Sequence, residues 1–248
     1  MSIKQQDTPG VPKVKICGIT SLKEADWLNA LGADYAGFVF YEKSKRNVSL
    51  MDAMVIKKCL NPSVKTVAVT VSPTVRQLRA IEIAGFDILQ VHKELSLEVL
   101  RECQLPIWRA LNIGAFSDVL KPEADSVQTE GELVCVDQAK AGEMENGQAE
   151  RRRLEQERIE AYVLDGVEFG SGKTFDWNSG SVAQIRALFG DKKLVLAGGL
   201  TPSNVAEGIE IFRPDIVDVS SGVEKESGRG KDKEKIDQFI RKVREKNE

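Results

Sequence analysis

Eight short runs of β-branched and other apolar residues recur along the 248-residue chain, each followed by a stretch with helical spacing. In 22–31 and 75–84, apolar residues fall three and four positions apart, as in an amphipathic helix. Alternating strands and helices are typical of a parallel sheet covered by helices. The predicted strands are 14–17, 34–40, 65–71, 87–91, 107–111, 161–165, 194–197 and 216–219. Eight such repeats at this length predict an α/β fold, a (β/α)₈ TIM barrel that forms one domain over 1–248.

Helix-capping signals agree with this pattern. Ser21 and Glu24 have the spacing of a capping box before the first helix, and Gly32 follows the end of that helix. Comparable helix starts are predicted at Ser49, Ser72-Pro73 and Thr201-Pro202-Ser203.

One interval between strands is much longer than the others. The fifth and sixth predicted strands start at 107 and 161, 54 residues apart, whereas the other intervals are 20 to 33 residues. We interpret residues 115–160 as a charged insertion on the surface that ends in a solvated helix over 150–160. A partner-binding site is the alternative, and residues 1–12 are interpreted as a polar extension.

Composition narrows the classes of partner. The net charge is −3 with both signs interspersed, so neither a nucleic acid nor a membrane surface is expected as a partner, and a small molecule is. The four cysteines are widely separated and no apolar leader precedes the barrel, which indicates a reducing cytoplasm. His92 is the single histidine, so no histidine-cluster metal site is expected.

Small residues follow the last two predicted strands. Gly198 and Gly199 come after the seventh, and Ser220, Ser221 and Gly222 come after the eighth. Backbone N–H groups and helix N-termini at these two loops are a recurrent phosphate site of such barrels. The alternative is that these residues only form tight turns. Both clusters together favour a phosphorylated ligand.

Two side chains that can transfer protons end predicted strands. Cys17 ends the first strand and Asp165 ends the sixth, which directs both toward the mouth of the barrel. A buried, unreactive thiol is the alternative for Cys17, and a helix cap or an ion pair is the alternative for Asp165. The residues alone leave both choices open.

The segment 170–174 (GSGKT) is similar to the end of a nucleotide-binding loop. The first glycine of that motif would fall at Val167, so a nucleotide site is not predicted. We interpret the segment as a cover over the mouth, anchored by Phe175 and Trp177.

Four motifs in the expected order resemble the phosphoribosylanthranilate isomerase family of tryptophan biosynthesis. They are KICGIT at 15–20, GFVF at 37–40 leading to Ser44-Lys45-Arg46, GSGKTFDW at 170–177 and DVSSGVE at 218–224. The resemblance runs from about 14 to 241, interrupted by the insertion. It implies an Amadori rearrangement of N-(5-phosphoribosyl)anthranilate to the carboxyphenylamino-deoxyribulose phosphate, which needs no cofactor and no metal.

The resemblance also implies roles for individual residues. Asp165 matches the general acid that protonates the ring oxygen, and Cys17 matches the base that removes the C2′ proton. Arg46 matches the residue that holds the anthranilate carboxylate. Asp218 lies near the sugar, and Gly199, Ser220 and Ser221 hold the phosphate. A thiol base must be shifted toward its thiolate or engaged by the substrate, and we expect Lys15 and the backbone N–H groups of the mouth to favour the thiolate.

The chain departs from the family pattern at two loops. His92 is followed by Lys93 where glycine is usual, and Ser72 ends the third strand region where asparagine is common. Three alternatives stay open at this point. A histidine-pathway aminoaldose isomerase would be expected to have aspartate at Cys17, and a pentose-phosphate epimerase would need metal-binding histidines. An inactive ligand-binding barrel is the third. For the oligomeric state, a monomer and a homodimer are both compatible with the sequence.

Overall fold

Eight parallel strands form a closed barrel in chain order in the computed structural model, which describes residues 10–112, 138–165 and 189–245. The strands are β1 (Lys13–Cys17), β2 (Tyr35–Val39), β3 (Lys65–Thr70), β4 (Ile88–Val91), β5 (Ile107–Asn112), β6 (Ile159–Asp165), β7 (Lys193–Leu196) and β8 (Ile216–Val219). Every predicted strand boundary falls within two residues of an observed one. The predicted (β/α)₈ barrel is confirmed.

Helices cover the outside of the barrel. They are α1 (Leu22–Leu31), α2 (Leu50–Lys57), α3 (Val75–Ile83), α4 (Leu97–Glu102), α5 (Gln138–Arg158), α6 (Val205–Phe212) and α7 (Lys233–Arg244). Within the described ranges, no helix has both the length and the apolarity that a membrane span requires.

The predicted caps of the first helices are largely confirmed. The Ser21 side chain accepts from the Glu24 N–H, Glu24 reaches back to the cap, and Gly32 ends α1 in the left-handed region at φ 72°. Two starts lie later than predicted. Thr74, rather than Ser72, caps α3, and α6 begins after Asn204.

The charged run at 150–160 differs from the prediction. It is the last part of α5 and the start of β6, so it belongs to the barrel and is not a purely solvated helix. Leu154 is only 6% exposed and packs into the main core, while Glu150 pairs with Arg101 of α4. Leu154 thus docks this end of α5, whose neighbouring side chains at 150–153 and 155–158 are exposed or half-buried. Residues 113–137 lie outside the described residues.

The core has two layers, because alternate side chains of a barrel strand point to opposite faces. One apolar cluster lies between the strands and the helices, and a second fills the barrel interior. In that interior Tyr35 and Trp108 meet edge to face at a centroid distance of 5.1 Å. Toward the C-terminal ends of the strands the interior becomes polar, with Lys15, Gln90 and Asp218 all buried. The site is built on this polar end.

Candidate active site

A cavity of about 780 Å³ opens at the C-terminal ends of the strands. Eight of the nine predicted site residues line it, and the ninth, Gly222, lies directly behind the lining. Those that line it are Cys17, Arg46, Asp165, Gly198, Gly199, Asp218, Ser220 and Ser221. Residues that the sequence scatters over more than 200 positions therefore share one concave surface.

Asp218, one of the lining residues, forms a buried ion pair with Lys15. Lys15 of β1 and Asp218 of β8 are direct neighbours in the parallel register, and Lys15 Nζ lies 2.6 Å from Asp218 Oδ2. Burial lowers the pKa of Lys15, but the Asp218 and Cys17 charges outweigh burial, and the pKa is raised. Asp218 Oδ1 is buried without a hydrogen-bond partner in the described part of the chain.

Cys17 stands two residues beyond Lys15 on the same inner face and is 8% exposed. Glycine opposite it on β2 makes room for the thiol: a Cβ on Gly37 would lie 2.9 Å from Cys17 Sγ. Burial raises the pKa of the Cys17 thiol, and the positive charge of Lys15 only partly offsets this. Lys15 therefore acts in the expected direction, toward the thiolate, but burial has the larger effect on the pKa.

Asp165 ends β6 and is 8% exposed. In an eight-strand closed barrel, β6 is three strands from β1, so Asp165 and Cys17 approach the cavity from facing sides. The loops after β7 and β8 lie between them. Because residues 166–188 are outside the described residues, the helix-cap alternative for Asp165 and the predicted cover at 170–177 are outside them too.

The two loops after β7 and β8 pack against each other closely. A Cβ on Gly222 would fall 1.9 Å from the Leu200 carbonyl oxygen, so only glycine allows this approach. Gly198 and Gly199 both have positive φ, at 75° and 70°, which favours glycine. The Asn204 amide donates to the Gly199 carbonyl at 3.0 Å, which holds the first loop in shape. Asn204 is thereby engaged in the loop and gives α6 no side-chain cap.

The second loop is fixed from below. Ser220 Oγ donates to the Cys17 carbonyl at 3.0 Å, and Lys231 Nζ donates to the Ser220 carbonyl at 3.0 Å. Lys231 is 1% exposed. Burial lowers its pKa, against the opposing charge of Glu224. The Ser220 backbone is thus held beside the end of β1.

Arg46 lies in the loop between β2 and α2 and is 13% exposed, unlike Lys45 beside it at 52%. It is therefore not a solvated loop arginine. Its Nε donates to Glu224 Oε1 at 2.5 Å. Its stem crosses Gly18, where a Cβ would be 2.7 Å from Arg46 Cδ.

This arrangement of barrel, strand-end groups and paired loops agrees with comparisons to known proteins. The model of the N-(5′-phosphoribosyl)anthranilate (PRA) isomerase family matches residues 14–242. The chain belongs to the PRA isomerase family. Its predicted family, its isomerase activity and its place in tryptophan biosynthesis are thereby confirmed.

Individual members of the PRA isomerase family are similar over nearly the whole chain. The enzyme of Streptococcus mutans is 36% identical over 233 residues, with 94% of this chain and 98% of that protein covered. The crystal structure from Thermotoga maritima is 32% identical with a TM-score of 0.71, covering 94% of this chain and 99% of the other. Another family structure was solved in complex with reduced 1-(o-carboxyphenylamino)-1-deoxyribulose 5-phosphate. It is 31% identical with a TM-score of 0.67, and the match covers 94% of this chain and 99% of the other.

Several polar residues of this PRA isomerase site escaped sequence reasoning. Gln90 Nε2 lies 2.8 Å from His92 Nε2, and both residues line the cavity. Burial, with Lys15 and Arg109 nearby, lowers the pKa of His92 to about 3. The alternation along β4 predicts that Gln90 faces inward with His92, so this signal was present in the sequence. No local pattern marks Lys231 as a support of Ser220.

The departures from the family pattern also lie at the mouth. Lys93 lines the cavity beside His92, so the site has an additional amine at its rim. Ser72 Oγ accepts from the Glu94 N–H at 3.2 Å, which joins the β3 and β4 loops. Over 10–112, 138–165 and 189–245, no group of three or more His, Cys, Asp or Glu side chains has an arrangement that could hold a metal ion.

Proposed function

We propose that Asp165 and Cys17 carry the two proton transfers of the isomerisation, from facing sides of the mouth. The observation that supports this most strongly is that both groups line one cavity, with the two glycine-bearing loops between them. A substrate whose phosphate is held by those loops has its sugar between the carboxyl and the thiol.

In the first step Asp165 donates a proton to the furanose ring oxygen. The C1′–O bond breaks, its electron pair becomes the new hydroxyl, and the anthranilate nitrogen forms a protonated Schiff base with C1′. This step needs a proton-bearing acid within reach of the ring oxygen. Asp165 is left as a carboxylate.

In the second step the Cys17 thiolate removes the C2′ proton, and the electron pair flows toward the Schiff-base nitrogen. The resulting enolamine takes up a proton at C1′ and loses the proton of its C2′ hydroxyl, which becomes the ketone oxygen, so the rearrangement needs no cofactor. Burial raises the pKa of Cys17. The cationic Schiff base brings a positive charge to the thiol and therefore favours its ionisation when it is needed.

The remaining roles concern binding. Backbone N–H groups near Gly199, Ser220 and Ser221, with Gly198 and Gly222 shaping the loops, bind the phosphate. Arg46 binds the anthranilate carboxylate, a task suited to a planar guanidinium. Asp218 accepts from a sugar hydroxyl through Oδ1, the atom that lacks a partner in the described residues.

Cellular context is proposed separately. Cys17, Cys59 and Cys103 are unpaired, which fits a reducing cytoplasm. We propose a monomer or a homodimer, and light scattering coupled to size exclusion would decide between them. One related structure from Thermotoga maritima describes monomers generated from a dimeric family member.

The test follows the loss of anthranilate-type fluorescence when purified protein meets freshly generated phosphoribosylanthranilate. Asp165→Asn and Cys17→Ser should each lower kcat by about 10²- to 10⁴-fold, as expected for loss of a general acid or base. Asp191→Asn and Cys59→Ser make the same chemical changes at exposed positions and should keep wild-type rates. Near wild-type kcat in either site variant would refute its role, and an inactive but folded wild type would mean another phosphorylated substrate.

A further inference from the structure

Glu224 is a buried carboxylate that contacts both Arg46 and Lys231. It follows the 3₁₀ turn Ser221–Val223 after β8 and is 7% exposed. A buried carboxylate is costly unless cations and hydrogen bonds compensate for its lost hydration. None of the binding or proton-transfer roles proposed above involves Glu224.

Three cations surround this carboxylate. Arg46 Nε lies 2.5 Å from Oε1, Lys45 Nζ lies 2.7 Å from Oε2, and Lys231 Nζ lies 3.5 Å from Oε1. Burial raises the pKa of Glu224, but the hydrogen bonds from Arg46 and Lys45 outweigh burial, and the pKa is lowered. Glu224 is therefore ionised at neutral pH.

The contact with Arg46 determines how that guanidinium can bind a ligand. A guanidinium offers a carboxylate either one Nε–H and one Nη–H or its two Nη groups. Because Nε already donates to Glu224, the Nη end is left for a substrate carboxylate. The stem of Arg46 also packs against Gly18, since only glycine allows Arg46 Cδ to pass so close.

The support beneath Glu224 connects it to the phosphate loop. Lys231 contacts both Glu224 and the Ser220 carbonyl, and the Lys231 backbone N–H donates to buried Glu24 at 2.7 Å. Lys235 Nζ also donates to the Glu224 carbonyl at 3.0 Å. The carboxylate is thus held in place independently of Arg46.

We propose that Glu224 is a positioning residue that aims the Nη end of Arg46 at the anthranilate carboxylate. The inference rests on the role proposed for Arg46. It predicts that Glu224 increases affinity only for ligands that carry the ring carboxylate. A purely structural role would change the affinity for all phosphorylated ligands alike.

The experiment uses two secondary amines made by reductive amination of ribose 5-phosphate, one with anthranilate and one with aniline. They differ only in the ring carboxylate. Fluorescence titration gives both dissociation constants, and the carboxylate factor is the Kd of the aniline probe divided by that of the anthranilate probe. A charge-assisted bidentate contact predicts a wild-type factor of at least about tenfold.

Glu224→Gln should reduce this factor at least about fivefold while the Kd of the aniline probe stays within about twofold, because it removes one charge-assisted contact. Glu226→Gln removes the same charge from an exposed position in the same loop and should leave the factor unchanged. Arg46→Gln should bring the factor close to one.

The outcomes separate the two proposals. A wild-type factor near one, or an unchanged factor in Arg46→Gln, overturns the role of Arg46 and with it this inference. A factor lost in Arg46→Gln but kept in Glu224→Gln overturns only the positioning role. A larger factor in Glu224→Gln also overturns it, because Glu224 would then compete with the substrate carboxylate. If Glu224→Gln binds neither probe, Glu224→Asp is judged by the same criterion, with a partial fall expected.

Discussion

Lys15 Nζ lies 2.6 Å from Oδ2 of Asp218, a residue that lines the active-site cavity, although the two are 203 positions apart in the chain. Closure of the barrel makes β1 and β8 neighbours, and their register sets the two side chains side by side. The pair places one buried positive charge beside the Cys17 thiol, while Asp218 Oδ1 has no hydrogen-bond partner in the described residues.

Removing one partner of this pair should be costly. Lys15→Met leaves Asp218 buried without its cation, and we expect a loss of about 3–5 kcal/mol in the free energy of unfolding. Urea unfolding followed by circular dichroism measures it. Lys65→Met is the matched control, because Lys65 and Asp87 pair at 3.1 Å with both side chains partly exposed. That change should cost no more than about 1 kcal/mol, and equal losses would contradict the prediction.

His92 should remain neutral over the whole physiological pH range. Burial, Lys15 and Arg109 lower its pKa to about 3. It is the single histidine of the sequence, so one ring-proton NMR signal reports on it. That signal should not shift between pH 8 and 5 in the folded protein, whereas in urea it should titrate near about 6.5. A native midpoint near the urea value would contradict this.

The lowered pKa of His92 should also make the free energy of unfolding depend on pH. A histidine with a lowered folded-state pKa contributes stability above its unfolded pKa, and this contribution is lost as pH falls toward the folded value. The free energy of unfolding should therefore decline from about pH 6.5 toward 3, partly because the unfolded chain takes up the His92 proton. His92→Gln should show a smaller decline over this window. An identical decline in the variant would show that other groups cause it.

Gly37 should be essential for the placement of Cys17. A Cβ at position 37 would lie 2.9 Å from Cys17 Sγ and 3.2 Å from Lys15 Cε. Gly37→Ala is expected to lower kcat by about tenfold to a hundredfold, because small displacements of a catalytic group are costly. Steady-state kinetics on folded protein measures this. Gly10→Ala, where an added Cβ meets nothing within 4 Å, should retain the wild-type kcat. A wild-type kcat in Gly37→Ala would contradict the prediction, because it would show that β2 shifts to accommodate the added Cβ without displacing Cys17.

Gly222 should be required for phosphate binding by the loops after β7 and β8. Its neighbour is the Leu200 backbone carbonyl, which a side-chain rotation cannot move out of the way. Gly222→Ala should separate the two loops and raise the inhibition constant for inorganic phosphate at least about tenfold, since the loss of one charge-assisted hydrogen bond has this size. Competition kinetics measures the constant, with Gly10→Ala as the control. An unchanged constant would exclude these loops as the phosphate site.

Local patterns in the sequence were sufficient to predict the barrel. Alternation such as that of Ile16 and Cys17 is imposed by the pleat, and caps such as Ser21 with Glu24 are satisfied within one turn, so neither depends on distant residues. The same reasoning located both loops of the predicted phosphate site. It misjudged 150–160, where a high density of charge concealed the buried Leu154.

The long-range contacts of the site and the pKa shifts that result from them were decided by the tertiary structure. The sequence by itself determined which side chains end the strands, because the alternation of a strand and the turn signals at its end are local. It did not determine that Arg46 binds Glu224 across 178 residues, or that Lys231 supports Ser220. It also did not determine the net direction of the Cys17 pKa shift, because burial outweighs the positive charge of Lys15. That pKa is a balance between burial and the charges of Lys15, Asp218 and Lys231, which come together only when the barrel closes.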